Sequence, residues 1–277
     1  SCAYHLSQAG YSVTVFESQP QPGGMLRYAI PSYRLPKLVL DEEIQRIADL
    51  GAEIRCNTEV GKTVSLEDLR KDFRAVYVAI GCQDTSKLGI DGENEELVYS
   101  GLDFLKQAAK GRSDSPGKQI FVVGGGNTAV EEGVYLTNFA SKVYIIHRRD
   151  EFRADRAAIE HALSNPKIVP VWNTVVEKIE GDGLVENLVI KNIKTGEVSN
   201  LPVAGVFMFV GQLPHDECVR GLVDATKGGW IKTDDNMETS VEGIFAAGDV
   251  RDKGLRQVVT AASDGAIAAM SASAYIN

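Results

Sequence analysis

The sequence predicts an α/β fold with parallel sheets, because strand and helix patterns alternate in two separate parts of the chain. The first part opens in a helix at residues 1–10 and continues into a short apolar strand at residues 12–17. The second part gives a strand at residues 119–123, a helix at about residues 128–140 and a further strand at residues 142–146. A chain of 277 residues is long enough for two domains of this kind.

Between these two parts, the pattern predicts an amphipathic helix over residues 40–51, ended by Gly51. Ser65 followed by Asp68 is typical of a helix start. Residues 75–81, AVYVAIG, form a nearly continuous apolar run, which indicates a strand covered on both faces.

The last third of the chain contains shorter strands and ends in a helix. Turn residues at 181–183 and 195–196 predict a β-meander, and residues 204–211 and 243–249 predict two buried strands. A helix of small residues is expected from about residue 256 to residue 275.

Composition excludes several classes of function. A net charge of −9 argues against broad nucleic-acid binding, and no apolar run approaches the ~18 residues of a membrane span. The four cysteines, Cys2, Cys56, Cys82 and Cys218, show no C-x-x-C spacing, which argues against a disulfide framework, a cysteine-rich cluster and a local redox dithiol. The four histidines are scattered, so no metal site is expected, and the cysteine usage predicts a cytoplasmic protein.

A charged Gly/Ser/Pro segment, KGRSDSPGK at residues 110–118, predicts a domain boundary. The chain is expected to return to the first domain near residues 227–235. The predicted domains are therefore residues 1–114 and 233–277, which together form one domain, and residues 115–232, which form the other.

A glycine motif lies at the turn between the strand at 119–123 and the next helix. Gly124, Gly126 and Ala129 give G-x-G-x-x-A, in which Gly124 allows a tight turn and Gly126 lets the backbone approach a pyrophosphate. Ala129 allows close packing of helix on strand, and the helix amino end favours phosphate charge. The alternative is a glycine-rich turn without a ligand, which the flanking strand and helix make the weaker interpretation.

Basic residues occupy the tip of the following strand, where an NAD site has an acid. The chain places His147, Arg148 and Arg149 there, with Arg153 shortly after. Guanidinium groups bind phosphate in a bidentate manner, so this cluster predicts a site for the 2′-phosphate of NADP(H). A solvated basic face is the alternative.

A second dinucleotide site is predicted from an acid at the other strand tip. Glu17 is placed to bind a ribose hydroxyl of a dinucleotide without a 2′-phosphate, for which FAD fits. Other residues of the chain support this site by allowing close approach, by hydrogen bonding or by opening the last helix: Gly23, Gly24, Gly81, Gly248, Asp249, Arg256, Gln257 and Val258.

These motifs resemble the two-dinucleotide flavoprotein reductases. Residues 122–277, with GGGNTAVEE, HRRDEFRA and TSVEGIFAAGDV, look most like bacterial thioredoxin reductases. Residues 17–101, with PGGMLRYAIPSYRLPK and VYSGLDFL, look more like the small subunit of glutamate synthase and the related ferredoxin–NADP oxidoreductases.

The resemblance implies two Rossmann-like domains of three-layer ββα type, in which an NADPH domain is inserted into an FAD domain. It also implies hydride transfer between nicotinamide and flavin, which carry the chemistry without a catalytic side chain. By the same resemblance, the NADPH site would include Gly124, Gly126, Asn127, Thr128, Ala129, His147, Arg148, Arg149, Arg153 and Gly211.

Two departures from this resemblance bear on function. Thioredoxin reductases have a C-x-x-C dithiol just before the NADPH glycine turn, and residues 100–118 contain no cysteine. The first strand and glycine loop of the FAD domain are also absent from this sequence, and a protein without them is expected to bind flavin weakly.

The sequence therefore predicts an NADPH-dependent flavin oxidoreductase that passes electrons to an iron–sulfur or flavin partner, as glutamate synthase small subunits do. Two alternatives stay open: a thioredoxin-reductase-like enzyme that uses cysteines of another chain, and a non-catalytic nucleotide-binding subunit. A homo-oligomer or hetero-oligomer is compatible with each of them.

Overall fold

The chain forms two compact units in a computed structural model that describes residues 1–32, 34–109 and 119–277. One unit, the outer unit, contains Ser1–Asp84 and Gln212–Asn277. The other, the central unit, is the continuous segment Thr85–Gly211. The outer unit is thus interrupted by the central unit along the chain.

The helices are distributed over both units. In the described part of the chain they are α1 (Cys2–Gln8), α2 (Gly24–Tyr28), α3 (Lys37–Asp49), α4 (Leu66–Asp72), α5 (Gly101–Ala109), α6 (Asn127–Leu136), α7 (Arg156–Ser164) and α8 (Val258–Ile276), with a 3₁₀ turn at Gly248–Val250.

The strands are short in the outer unit and longer in the central unit. They are β1 (Thr14–Phe16), β2 (Glu53–Arg55), β3 (Val76–Val78), β4 (Asp84–Thr85), β5 (Val98–Ser100), β6 (Gln119–Val123), β7 (Lys142–Ile146), β8 (Ile168–Val171), β9 (Thr174–Gly181), β10 (Val185–Asn192), β11 (Val198–Pro202), β12 (Val206–Met208), β13 (Gln212–Leu213) and β14 (Ile244–Ala246).

The central unit is built on a parallel sheet with strand order β5-β12-β6-β7-β8. A separate antiparallel sheet, β11-β10-β9, forms a meander that lies between β8 and β12 in the sequence. The turns predicted at residues 181–183 and 195–196 join these three strands, so the meander prediction is confirmed.

Residues of β6 alternate between two cores, which makes the central unit a three-layer structure. Ile120 and Val122 pack with the helices α6 and α7 in one apolar cluster. Phe121 and Val123 point to the opposite face and pack with residues of β9 and β10. A strand with both faces buried is apolar along its buried length, which is why the four buried residues of β6, 120–123, read IFVV after the exposed Gln119. The predicted ββα layering is confirmed.

The outer unit contains two parallel strand pairs, β1 with β2 and β3 with β14. The helix α1 packs against α8. One apolar cluster includes Val78 and Ala246 from the β3–β14 pair, and another joins Phe245 of β14 to Ala268 and Ala272 of α8. The alanines of α8 allow this close packing because their side chains end at Cβ.

Most predicted elements are present, with shorter bounds in the outer unit. The strands predicted at 119–123 and 142–146 have those bounds, whereas the strand predicted at 12–17 spans Thr14–Phe16. The helix predicted from residue 40 begins at Lys37, directly after Pro36. Ser65 is the N-cap of α4, where its Oγ accepts a hydrogen bond from the Asp68 amide at 3.1 Å.

The two compact units divide the chain at other residues than the predicted domains. The predicted boundary at 114–115 lies outside the described residues, and β5 with α5 already belongs to the central unit because β5 pairs with β12. The chain returns to the outer unit at residues 211–212 rather than near 227–235. Ile231 explains the difference: it donates its amide hydrogen to Val250 at 3.0 Å and is fully buried with outer-unit residues.

Candidate functional site

The glycine turn of the central unit, residues 124–127, connects β6 to α6. Gly124 has φ +158°, and a Cβ there would lie 2.7 Å from the Ala129 Cβ and 2.8 Å from the Phe209 carbonyl oxygen. A Cβ on Gly126 would meet nothing within 4 Å. Gly124 is therefore required by packing, whereas Gly126 faces open space.

The helix α6 starts at this open turn without a side-chain cap. Its N-cap is Gly126, which has extended backbone geometry, and Thr128 is exposed in the first turn. The first amide groups of a helix lack intrahelical partners, and the helix dipole makes this end positive. The turn can therefore bind an anion with backbone N–H groups.

Three guanidinium groups lie on the loop after β7, which we call the arginine loop (residues 147–155). The side chains of Arg148, Arg149 and Arg153 are exposed. None of them makes a hydrogen bond or an ion pair with any residue of 1–32, 34–109 or 119–277. Exposed guanidinium groups that make no ion pair are free to bind an anion through charge-assisted hydrogen bonds.

His147 lies beneath the glycine turn rather than with the exposed arginines. It is buried, and a Cβ on Gly125 would lie 2.3 Å from its Nδ1 atom. Burial lowers the pKa of His147, and the charges of Arg149 and Arg148 lower it further. Both effects favour the neutral imidazole, and its buried Nε2 atom has no hydrogen-bond partner among the described residues.

The arginine loop is joined to the glycine turn by hydrogen bonds. Arg153 donates its amide hydrogen to the Gly125 carbonyl at 2.7 Å. The amide side chain of Asn127 contacts Asp155 at both its oxygen and its nitrogen. Asn127, expected at a phosphate, therefore faces a protein partner.

Gly211 is the last residue of the central unit, at the chain crossing. It has φ +124° and is exposed, and its carbonyl accepts a hydrogen bond from the Ser86 amide at 3.0 Å. A positive φ at this position favours glycine.

In the outer unit, the ends of two adjacent parallel strands lie together. Gly81 follows β3 with φ +66°, and Gly248 follows β14 with φ +78°. The Sγ atom of Cys82 donates to the Asp249 carbonyl at 2.8 Å, which ties the two segments together. The predicted groups at 81 and 248–249 thus form one site.

The Asp249 side chain is the unpaired polar group of this site. Its Oδ1 atom is buried and has no hydrogen-bond partner in the described part of the chain. Burial raises the pKa of Asp249, although Lys253 and Arg256 act in the opposite direction. A buried carboxylate oxygen without a partner is costly, so the site is suited to a ligand that donates a hydroxyl.

Asp264, on α8, is a residue of this site that the sequence patterns did not identify. Its Oδ2 atom accepts from the Gly248 amide at 2.9 Å, from Lys253 at 2.9 Å and from Arg251 at 3.0 Å. Burial alone would raise the pKa of Asp264, but these donors outweigh it and hold the pKa below its ordinary value. A signal existed: Asp264 is the single charged residue in the sequence of α8.

Arg256 is engaged within the protein rather than free. It donates to the carbonyl oxygens of Asp249 at 3.2 Å and Arg251 at 3.0 Å, and its guanidinium lies 3.5 Å from the centre of the Trp230 ring. Arg256 therefore holds the segment that carries Asp249.

The first residues of α8 are well formed and exposed. Gln257 is the N-cap and makes a capping box with Thr260, while Val258 is exposed in the first turn. The positive end of this helix is therefore open on its surface.

The amino-terminal residues of the predicted FAD site form a separate group. One carboxylate oxygen of Glu17 accepts from the Gln19 amide at 2.8 Å. Gly23 and Gly24 have φ +126° and +49° at the start of α2. No hydrogen bond in the described part of the chain links Glu17 to Gly248 or Asp249. The structure shows only that these residues belong to the same compact unit.

The described residues contain no helix long and apolar enough to cross a membrane. Within the same residues, no group of three or more His, Cys, Asp or Glu side chains is arranged to hold a metal ion.

Comparison with known proteins agrees with this fold. The family described as pyridine nucleotide-disulphide oxidoreductase matches residues 1–265. A thioredoxin reductase of Peptoclostridium litorale is 40% identical, over 96% of this chain and 86% of its own length. That of Peptoclostridium acidaminophilum is 43% identical, with the same coverage.

Solved structures are similar over nearly the whole chain. The thioredoxin reductase of Lactococcus lactis has a TM-score of 0.82 at 31% identity and covers 99% of this chain and 94% of its own. The thioredoxin reductase of T. acidophilum has a TM-score of 0.81 at 23% identity and covers 100% of this chain and 94% of its own, which supports the fold alone. The similarity extends over the amino-terminal part, where the sequence motifs resembled glutamate synthase small subunits.

The chain belongs to the pyridine nucleotide-disulphide oxidoreductase family. It is an NADPH-dependent flavin oxidoreductase, with FAD and NADP(H) as its cofactors. The structure fits both groups, because it offers an open glycine turn beside free guanidinium groups in the central unit. In the outer unit, the unpaired Asp249 oxygen fits a hydroxyl-bearing cofactor.

Proposed function

We propose that this enzyme takes hydride from NADPH onto FAD and passes the electrons to a separate redox protein. The observation that carries the proposal is the set of three unpaired arginines beside an open glycine turn in a chain of net charge −9. A local cationic cluster in an acidic protein indicates a specific anionic ligand rather than general charge attraction.

In the NADPH site, the turn residues Gly124 and Gly126 and the start of α6 would bind the pyrophosphate. Arg148, Arg149 and Arg153 would bind the 2′-phosphate. The remaining residues predicted for this site are Asn127, Thr128, Ala129, His147 and Gly211.

In the FAD site, the Asp249 oxygen would accept a hydrogen bond from a ribitol hydroxyl, and Glu17 would accept one from a ribose hydroxyl. Glycines at 23, 24, 81 and 248 would allow the backbone to approach the cofactor. The amino end of α8, at Gln257 and Val258, would place its positive dipole against the flavin ring, and Arg256 would hold the neighbouring loop. Hydride transfer itself is the chemistry that the two bound cofactors supply.

Electrons are proposed to leave the chain because its cysteines are not arranged as a dithiol. The four cysteines are free, and none is in C-x-x-C spacing. Burial raises the pKa of Cys82 to about 12 and that of Cys2 to about 12, so neither forms the thiolate that disulfide exchange needs at neutral pH.

Two classes of acceptor follow from different observations. The amino-terminal motifs, such as PGGMLRYAIPSYRLPK, favour an iron–sulfur partner of the kind found with glutamate synthase small subunits. The identity of 40% and 43% to thioredoxin reductases favours a disulfide-containing protein partner. We place the iron–sulfur partner first because the sequence lacks the local dithiol.

Anaerobic titration of the flavin-loaded protein with NADPH tests the hydride step. The oxidised flavin absorption is expected to disappear at one equivalent of NADPH, since the flavin accepts one hydride. Turnover is then compared with a ferredoxin-type protein and with oxidised thioredoxin as acceptors. A flavin that NADPH leaves oxidised would show a non-catalytic nucleotide-binding subunit, and faster turnover with thioredoxin would replace the iron–sulfur partner.

The 2′-phosphate assignment has its own test. Arg148→Ala combined with Arg149→Ala is expected to weaken NADP⁺ binding far more than NAD⁺ binding, measured by calorimetry. Lys142→Ala, which removes an exposed positive charge at the other end of β7, is the control and should change neither. Equal effects on the two nucleotides would contradict the assignment.

A further inference from the structure

We infer that Asn127 and Asp155 form a positioning pair that holds the arginine loop on the glycine turn and so determines the preference for NADP(H). This inference rests on the proposed function, because it assigns the 2′-phosphate to the arginine loop. It adds Asp155 to the site and gives Asn127 a different role, in which the two residues contact each other rather than the nucleotide.

The pair is reciprocal. The Asp155 amide donates to the Asn127 Oδ1 atom at 2.6 Å, and the Asn127 Nδ2 atom donates to the Asp155 Oδ2 atom at 2.8 Å. Both functional groups of the Asn127 side chain thus have Asp155 as a partner. One bond involves backbone and the other a side chain, so the pair fixes both the position of the loop and its direction.

Asp155 is placed unusually for a residue at a helix start. It is the N-cap of α7, where an aspartate ordinarily accepts a hydrogen bond from an amide of its own helix. Its side chain makes no such bond, and the carboxylate accepts from Asn127 instead. Because the Asp155 side chain makes no capping bond within α7, its bond to Asn127 in the glycine turn accounts for its orientation.

The other end of the arginine loop is fixed independently. The His147 amide donates to Val171 at 2.9 Å, and the Asn173 amide donates to the Arg149 carbonyl at 3.0 Å. The end near Arg153 has a different anchor, the bond from its own amide to Gly125. Breaking the Asn127–Asp155 pair therefore removes one of the two anchors of the Arg153 end and leaves its bond to Gly125, while the backbone at 147–149 stays in place.

The expected consequence is selective for the phosphorylated nucleotide. When the pair is broken, Arg153 is held less firmly in position to bind the 2′-phosphate of NADP⁺, so NADP⁺ binding weakens. NAD⁺ has no 2′-phosphate, so its binding does not change. Two hydrogen bonds of ordinary strength support a loss of about tenfold in NADP⁺ affinity.

Calorimetry with NADP⁺ and NAD⁺ on the full flavin-loaded chain tests this inference. Asn127→Ala removes both hydrogen bonds and should weaken NADP⁺ binding by about tenfold, whereas Asp155→Ala keeps the backbone amide bond to the Asn127 oxygen and should weaken it by less; neither should change NAD⁺ binding. The double variant should be no weaker than Asn127→Ala, because that substitution already breaks both bonds of the pair. Asp155→Asn keeps an oxygen acceptor and should retain most of the NADP⁺ affinity.

The control is Glu160→Ala, which removes an exposed side chain of α7 paired only with Arg156. It should leave both affinities unchanged. In kinetic assays, the pair variants should raise the KM for NADPH with kcat unchanged, as expected when a group positions the ligand without taking part in hydride transfer.

Two results separate failure of the inference from failure of the proposed function. If the Arg148/Arg149 variant loses NADP⁺ preference but the pair variants keep it, the inference is overturned and the proposed function stands. If the Arg148/Arg149 variant keeps its preference, the 2′-phosphate assignment fails. Equal loss of NADP⁺ and NAD⁺ in the pair variants would show a merely structural role and also overturn the inference.

Discussion

At the scale of single residues, Gly124 and Gly126 are glycines for different physical reasons. Gly124 has no room for a Cβ, because Ala129 and the Phe209 carbonyl are too close. Gly126 has room for one in the protein alone, and its backbone conformation is open to any residue. One glycine is needed for the fold and the other for the ligand.

Matched substitutions at these glycines are expected to separate stability from binding. Gly124→Ala should lower the free energy of unfolding by about 1–3 kcal/mol through overpacking. Gly126→Ala should leave the melting temperature unchanged and weaken both NADP⁺ and NAD⁺ by about tenfold or more, because its methyl group occupies the phosphate position. Thermal unfolding measures the stability of both variants, and calorimetry measures their nucleotide binding. A destabilised Gly126→Ala protein would contradict the assignment of Gly126 to the ligand rather than to the fold.

His147 is expected to make stability depend on pH. Its pKa is lowered from 6.5 by burial and by Arg149 and Arg148, so the unfolded chain binds a proton that the folded chain does not. Stability should therefore fall as the pH drops below about 6.5, and it should be fully present above that value. Urea unfolding of the protein and of His147→Gln at several pH values measures this. A slope between pH 5 and 6.5 as steep in the variant as in the wild type would contradict the assignment.

At the scale of elements, α8 joins packing to the cofactor site. Its alanines lie against β14, and its one charged residue, Asp264, holds the loop after that strand. The carboxylate neutralises two nearly buried cations, since the Arg251 and Lys253 side chains are 11% and 12% exposed. Asp264 is thus the charged residue by which α8, a helix of small residues, binds the loop after β14.

Asp264→Ala is expected to destabilise the protein by about 3–5 kcal/mol, because two buried cations lose their partner. Ser263→Ala, at an exposed neighbouring position, is the control and should change the unfolding free energy by less than about 0.5 kcal/mol. Denaturant unfolding measures both. An Asp264→Ala protein as stable as the wild type would show that Arg251 and Lys253 reach solvent instead.

Several elements could be predicted from the sequence because their local pattern and their tertiary role coincide. The strands β6 and β7 are apolar at nearly every position, and the glycine turn and arginines follow them directly. The roles of Asp264 and of the Asn127–Asp155 pair could not be predicted, since their partners are distant in sequence. The compact units change at residues 211–212, whereas the predicted return lies near 227–235; the pairing of Ile231 with Arg251 is a long-range contact that leaves no local signal in the sequence.

At the scale of the whole molecule, the net charge of the protein is negative, as is that of the nucleotide it is proposed to bind. The chain carries −9, yet its proposed nucleotide site presents three exposed arginines. Charges separated by more than about 10 Å are screened at 0.1 M salt, so the nearby arginines act more strongly on a bound phosphate than distant acids do. Local charge therefore dominates binding at moderate salt.

Salt is expected to weaken NADP⁺ binding more than NAD⁺ binding. Raising the salt concentration from about 0.05 M to 0.5 M should increase the NADP⁺ dissociation constant about fivefold more than that of NAD⁺, because exposed guanidinium–phosphate contacts are screened. The Arg148→Ala, Arg149→Ala variant should show no such difference. Parallel salt curves for the two nucleotides in the wild type would argue that the arginines do not contact the phosphate.

The pairing of β3 with β14 has a consequence for the order of events during translation. The central unit is continuous in the chain, so it can complete its core as soon as residue 211 has emerged from the ribosome. The strand β3 emerges earlier but must wait for Ile244–Ala246 before it gains its parallel neighbour. In a nascent chain the central unit can therefore fold while the outer unit is still incomplete. This makes the outer unit the part of the chain most in need of a chaperone.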